Sequence, residues 1–271
     1  MALGRQHGRV PERNLPPFDL PHLDLPHLDL HYVDPRLVAQ YDTDNGERDD
    51  LAYYAALAAD LNARQIIDLG CGTGVLARRL ADAGHQVWGI EPAPEMLAYA
   101  QKQPGAGRVV WLNADAGGLG DWQADLAVMT GNVAQVFLED DAWLATLRHL
   151  HAALRPGGWV AFESRNPLAR EWEEWTPEKT REVTPTAYGP LETWLEVLDV
   201  SGGRVHMRGR NIFQTTGEHL DVHSTLRFRT FDEITASLGQ AGFRVQDVYG
   251  DWQRTPFTPP RRLMAFVAQR V

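Results

Sequence analysis

One stretch, Ile66-Ile67-Asp68-Leu69-Gly70-Cys71-Gly72-Thr73-Gly74, constrains this chain more than any other. An apolar run from Gln65 to Leu69 reads as a buried strand. It delivers the chain into a glycine loop, and a helical pattern from Val75 to Ala83 follows, stopped by Gly84. Glycines at such a junction let the backbone turn tightly and approach a ligand closely. The helix N-terminus behind them favours a carboxylate or phosphate. The same rhythm continues downstream. Strands are predicted at Gln86 to Ile90, Arg108 to Leu112, Asp125 to Thr130 and Trp159 to Glu163, with helices at Pro94 to Gln103 and Asp141 to Leu154. Strands and helices alternating at this spacing make a parallel sheet covered by helices on both faces.

The alternation breaks after residue 164. No clear strand is predicted between Arg165 and Pro190, and then three strands follow at 191–200, 203–213 and 220–229. In the last, Leu220, Val222, Leu226 and Phe228 share one face, and Asp221, His223, Thr225, Arg227 and Arg229 the other. Thr230 with Glu233 marks a capping box at the start of a helix. Phe243 to Tyr249 and Leu263 to Ala268 read as two closing strands. Four segments follow: a Pro-rich tail at 1–35 expected to be flexible, a ligand-binding core at 36–164, an antiparallel insertion or lid at 165–229, and a C-terminal helix with closing strands at 230–271.

The tail holds a tandem repeat, Asp19-Leu20-Pro21-His22-Leu23 and Asp24-Leu25-Pro26-His27-Leu28. His22, His27 and His31 invite a metal reading, but a duplicated low-complexity tail is the better one, and no metal is expected. Cys71 is the single cysteine, so intrachain disulfides and Cys-based zinc sites are excluded. In the loop it reads as a small packing residue. A net charge of −10 opposes long-range attraction to phosphate backbones and points away from nucleic acid. No run reaches membrane-spanning length, and the N-terminus lacks a secretory apolar stretch, so a cytoplasmic protein without membrane partners is expected.

Three features sharpen the glycine loop. Its spacing is GxGxG, unlike the GxGxxG of dinucleotide enzymes, and no Lys-Ser/Thr follows as phosphate loops require. Glu91 ends the next strand, where a carboxylate can accept both ribose hydroxyls of an adenosine cofactor. Asn113-Ala114-Asp115-Ala116 follows the third strand, where a carboxylate can accept from an adenine amino group.

DLGCGTG, GIEPAPEML, NADA and LRPGGWVAFE, in this order and spacing, resemble the class I methyltransferases that use S-adenosylmethionine (SAM). The resemblance is strong over about 36–164 and holds in outline over 230–271. Tyr41-Asp42, the segment Met129 to Gln135, and Glu163-Ser164-Arg165-Asn166-Pro167 with Trp172 and Trp175 are similar to a little-characterised bacterial subgroup. The resemblance implies a doubly wound, Rossmann-like, mostly parallel seven-stranded sheet with the antiparallel insertion after the fifth strand. It implies SAM as cofactor, with Asp68, Gly70 and Gly72 at the methionine end, Glu91 at the ribose, Asp115 and Ala116 at the adenine, and Thr130 and Gly131 near the sulfonium. Tyr41, Cys71, Gly74, Pro92 and Met96 complete the implied cofactor set. Glu91 departs from the more common Asp, and the longer side chain still reaches.

Methyl transfer needs alignment more than a protein base, so no base is named. Acceptor-pocket candidates are Asn132, Gln135, Glu163, Arg165, Asn166, Trp175 and His223, at the carboxyl edge of the sheet and on the insertion. Each has a competing structural reading. Asn132 can cap the next turn, Glu163 and Arg165 can form an ion pair, Trp172 and Trp175 can be packing, and His223 can lie on a solvated face. The expected activity is SAM-dependent methylation of a small molecule. A non-catalytic SAM-binding sensor or scaffold is the alternative. Thr130-Gly131-Asn132-Val133, where DNA amino-methylating enzymes carry Asn/Asp-Pro-Pro-aromatic, speaks against nucleic acid.

Overall fold

The computed structural model describes residues 29–44 and 48–271. The tandem repeat with His22 and His27 lies outside the described residues. The chain runs through α1 (Leu30–Val33), α2 (Pro35–Asp44), α3 (Asp49–Asp60), β1 (Gln65–Leu69), α4 (Val75–Asp82), β2 (Gln86–Ile90), α5 (Pro94–Ala100), β3 (Val109–Leu112) and β4 (Ala124–Met129). Next come α6 (Asp140–Ala153), β5 (Leu154–Arg165), α7 (Pro177–Thr180), β6 (Glu182–Thr186), β7 (Gly189–Ser201), β8 (Arg204–Phe213) and β9 (Glu218–Arg227). The last elements are α8 (Phe231–Gln240), β10 (Phe243–Tyr249) and β11 (Leu263–Arg270).

A seven-stranded sheet has the order β10-β11-β5-β4-β1-β2-β3. β1 to β5 are parallel, and β11 returns antiparallel to β5 with β10 beside it. Alternation along each strand splits the core in two. Ile67 faces α6 and α8 with Trp143, Leu147, Leu238 and Phe266. Ile66, one residue away, faces α3 and α4 with Tyr54, Leu57, Leu76 and Leu80. Chain order reverses between β1 and β4, and open sheets bind ligands at the carboxyl ends of the strands flanking such a point.

The insertion forms a second, four-stranded antiparallel sheet, β6-β7-β8-β9. Register settles its faces. Leu195, Gly209 and Val222 stand opposite one another, as do Val197, Met207 and Ser224. Arg208 and His223 pair on the reverse face. The split predicted for 220–227 is the split observed.

Three expectations change. The tail does not extend to Pro35, because Asp29–Asp34 are packed: α1 lies against α5 and β9, and Asp29 accepts a hydrogen bond from Ser224 Oγ. The segment 165–190 holds β6, an exposed edge strand whose Pro185 hides the strand signal. β5 begins at Leu154 and not Trp159, with an irregularity in its pairing to β4 between Ala124 and Leu126. The capping box at Thr230 forms as predicted, with Thr230 Oγ1 accepting from Glu233 N–H and Glu233 Oε2 from Thr230 N–H.

Candidate active site

β1 ends in the glycine loop, where Gly70, Gly72 and Gly74 all hold positive φ (72°, 55° and 75°). A Cβ on Gly70 would come within 2.6 Å of Val133 Cγ2, and one on Gly74 would run into the Trp111 ring. The loop is tied to β2 by Gly70 and Cys71 N–H donating to Ile90 O at 2.8 and 3.0 Å. Glu91 then closes over it. Its Oε2 accepts from Gly72 N–H at 2.8 Å and its Oε1 from Ala93 N–H at 3.0 Å. A carboxylate offers about four lone-pair sites, so two remain for hydroxyl donors. Burial pushes the Glu91 carboxyl up, and these two amides pull it part of the way back.

Asp68 lies beneath the loop, 1% exposed, and neither oxygen has a hydrogen-bond partner among the described residues. Burial pushes its carboxyl up to about 7, against the opposing pull of Arg48. Arg48 is itself clamped by Asp50, Nε to Oδ1 at 2.8 Å and Nη2 to Oδ2 at 2.6 Å. Unpaired buried carboxylates are costly.

A cavity of about 800 Å³ runs from this loop to the second sheet. At one end it is walled by Tyr41, Gly70, Gly72, Glu91, Met96, Thr130 and Gly131. At the other end stand Thr193, Leu195, Met207, Ser224 and Leu226 of the insertion. A smaller cavity behind the loop adds Arg48, Cys71 and Thr73. Thr73 Oγ1 donates to Asp42 Oδ1 at 2.5 Å, holding α2 over the loop.

Of the acceptor candidates, Asn132, Arg165 and His223 line the large cavity. Asn132 has φ 64° and makes no side-chain cap, so the capping alternative fails. The Glu163–Arg165 ion pair is also not made. Glu163, 2% exposed, accepts from Tyr54 Oη at 2.5 Å and from Asn132 N–H at 2.6 Å, whereas Arg165 pairs with Glu171 at 3.5 Å. Glu163 therefore fixes the turn after β4 from behind, and its burial holds its carboxyl above the usual range. Gln135 is buried, and its Oε1 accepts from Arg165 Nη1–H at 3.1 Å, which aims the guanidinium. Asn166 caps its own turn, accepting from Leu168 N–H at 3.1 Å and donating to Arg261 O at 2.8 Å. Trp175 packs on Phe228 and Val205, with Arg165 over its ring at 5.3 Å. It is packing, outside the cavity wall. His223 sits at the rim, exposed on the outer face and stacked on His206.

The cofactor candidates divide as well. Asp68, Gly74, Pro92, Asp115 and Ala116 stand outside both cavity linings, Asp68 beneath the loop that forms the wall. Asp115 is exposed and accepts from Gly117 N–H at 2.8 Å, while Asn113 Nδ2 ties the Glu91 and Pro92 carbonyls, both at 2.9 Å. Sequence reasoning missed Asp29, Tyr32 and Leu37 and weighed His31 only as a metal ligand, and all four are in the cavity wall. The signal of Asp29, His31 and Tyr32 was submerged in the repetitive tail, and Leu37 lies in α2 just beyond it. Sequence reasoning also missed Tyr54, a buried residue of α3.

A strand-to-helix glycine loop closed over by the Glu91 carboxylate, at the switch point of a doubly wound sheet, is where folds of this kind hold a nucleotide-type cofactor. Residues 66–158 match the methyltransferase domain family. Cypemycin N-terminal methyltransferase of a Streptomyces species is 26% identical over 213 residues, covering 78% of this chain and 84% of that relative. The CcbJ methyltransferase of Streptomyces caelestis shares the fold at TM-score 0.67 and 22% identity, over 89% of this chain and 98% of that one. SAM-bound CalS10 of Micromonospora echinaspora, an amino pentose methyltransferase, does so at 0.64 and 21%, over 86% and 96%. The chain is a class I SAM-dependent methyltransferase. The family match ends at residue 158, before the second sheet begins.

Proposed function

We propose that the chain transfers a methyl group to a small molecule held between the carboxyl edge of the seven-stranded sheet and the inner face of the second sheet. The observation that carries this reading is the continuity of one cavity from Glu91 and the glycine loop to Ser224 and Leu226. Its volume is in the usual range for small-molecule sites. With the net charge of −10, this favours a small metabolite in the cytoplasm over nucleic acid or a membrane surface. Among the described residues no helix is long and apolar enough to cross a membrane.

In this reading Gly70 and Gly72 bring bare backbone against the cofactor's methionine end, Asp68 compensates its ammonium group, and Glu91 takes the ribose hydroxyls. Thr130 and Gly131 line the path towards the acceptor, with Tyr41 and Met96 along the wall. SAM supplies an activated methyl group on a sulfonium. The protein then has to orient the acceptor and keep water out, and orientation alone accounts for roughly 7–11 kcal/mol in well-aligned systems. Arg165, aimed by Gln135, stands at the junction between the two halves.

Calorimetric titration tests the cofactor half. SAM and S-adenosylhomocysteine should bind and NAD should not. Glu91→Ala should weaken SAM binding by about 1–3 kcal/mol, because ribose hydroxyls are left unpaired. Preferential binding of NAD would overturn the reading.

A further inference from the structure

Asp29 and His31 reach the cavity from the N-terminal arm, and neither belongs to the cofactor end. Asp29 accepts from Ser224 Oγ on β9. His31 lies over Gly209 on β8, where a Cβ would come within 3.3 Å of His31 Cε1. Ser224 pairs with Met207, so the two contact points share one face of the β8–β9 ladder, two residues and roughly 7 Å apart. Tyr32, between them, turns the other way and packs with Val38, Ala93 and Met96. The arm is thus a seam, with its odd positions on the second sheet and its even one on the cofactor core.

This wall is rich in hydrogen-bond acceptors, with Arg165, Arg210 and His223 also in the cavity lining and His223 stacked on His206. Asp29 gives one of its lone-pair sites to Ser224 and keeps the rest. His31 makes no hydrogen bond to any described residue, and burial pushes its imidazole down to about 4, so it is neutral near pH 7 and one ring nitrogen is a free acceptor. Glu182, opposite Thr193 on the same face, adds a further carboxylate at the edge. Arg165, the cation nearest the junction, is already engaged by Glu171, Gln135 and Trp175. Arg210, at the cavity rim, is engaged by Asp221 at 3.6 Å. Leu195, Met207 and Leu226 provide an apolar floor.

We propose, resting on the methyltransferase reading above, that the methyl acceptor is an amine whose nitrogen-bearing end is bound by Asp29 and His31. An ammonium group brings three donors to this cluster of acceptors, a hydroxyl brings one, and a carboxylate brings none. Before transfer the ammonium gives a proton to water. The nitrogen lone pair then forms the N–C bond while the C–S bond breaks, its electron pair passing to sulfur. The methylated ammonium that results releases with its charge intact or loses a further proton to water.

The test is calorimetry on the full chain saturated with S-adenosylhomocysteine, with cyclohexylamine, cyclohexanol and cyclohexanecarboxylate as matched probes. The amine should bind at least about tenfold more tightly than the other two, as charge-assisted hydrogen bonds require. Asp29→Asn keeps an oxygen for Ser224 and so keeps the arm docked. It should cost the amine about tenfold while leaving S-adenosylhomocysteine affinity within about twofold. His31→Phe should weaken the amine by about threefold or more with the same cofactor control. Equal or tighter binding of the alcohol or carboxylate, or indifference of the amine to Asp29→Asn, would overturn the proposal. Failure of S-adenosylhomocysteine to bind the unaltered chain would instead overturn the methyltransferase reading beneath it.

Discussion

Asp68 and Glu91 are both buried acids at the loop, and they are buried differently. Two backbone amides satisfy Glu91, whereas Asp68 has no hydrogen-bond partner among the described residues. Asp68 is raised from 3.8 to about 7 in the folded protein, so without ligand it contributes stability at low pH that is lost as pH rises through about 7. A ligand ammonium favours the ionised form. SAM affinity should therefore be full above about pH 7 and fall below it, approaching about tenfold per pH unit. In Asp68→Asn that dependence should vanish, and the variant's melting temperature relative to the unaltered chain should rise between pH 4 and 8. A pH-independent affinity in the unaltered chain would remove Asp68 from the cofactor site. Gly74 makes a different residue-scale prediction. Its φ of 75° and the Trp111 ring forbid a side chain, so Gly74→Ala should destabilise the fold by about 1–3 kcal/mol in urea titration. These positions were legible in the sequence because glycine spacing and an acid at a strand end are local patterns. Glu163 was legible as important but not in its role. Its partner Tyr54 lies 109 residues away, and no local pattern reports such a contact.

At the scale of elements, the parallel strands were readable because each is a short apolar run closed by turn residues. β1, β2 and β10 carry the predicted bounds. The arm was not readable. Its four-residue helix is too short for periodicity to show, and its fixed position comes from contacts on both sides: Leu37 with Leu191, Phe213 and Val222, and Tyr32 with Met96. For the aromatic pair on the insertion the sequence left wall and packing both open, and the structure shows packing. Trp172 and Trp175 have the amphipathic surface of a ligand wall, but both pack on Phe228, Trp172 edge-on at 4.8 Å between ring centres. Trp175→Ala should thus act on stability, by about 3–5 kcal/mol, with S-adenosylhomocysteine affinity retained in the folded fraction. Full stability with a selective loss of acceptor binding would return Trp175 to the site.

Taken whole, the molecule places a family-wide cofactor half under a second sheet that the methyltransferase match does not reach. The interlock between the halves is extensive. The arm clamps the second sheet through Arg36, which pairs with Glu218 at 2.6 Å and lies 4.3 Å over Phe213. Arg204 reaches Glu139 at 2.8 Å from the other side. The cavity between them is what makes the chain a small-molecule enzyme in this account. The most direct measurement follows a labelled methyl group from SAM into a cell extract separated into small-molecule, protein and nucleic-acid fractions. The label should enter the small-molecule fraction, and at SAM concentrations below half-saturation of the unaltered chain Glu91→Ala should lower it by about fivefold to a hundredfold. Label in nucleic acid, or SAM binding without transfer to any fraction, would contradict it.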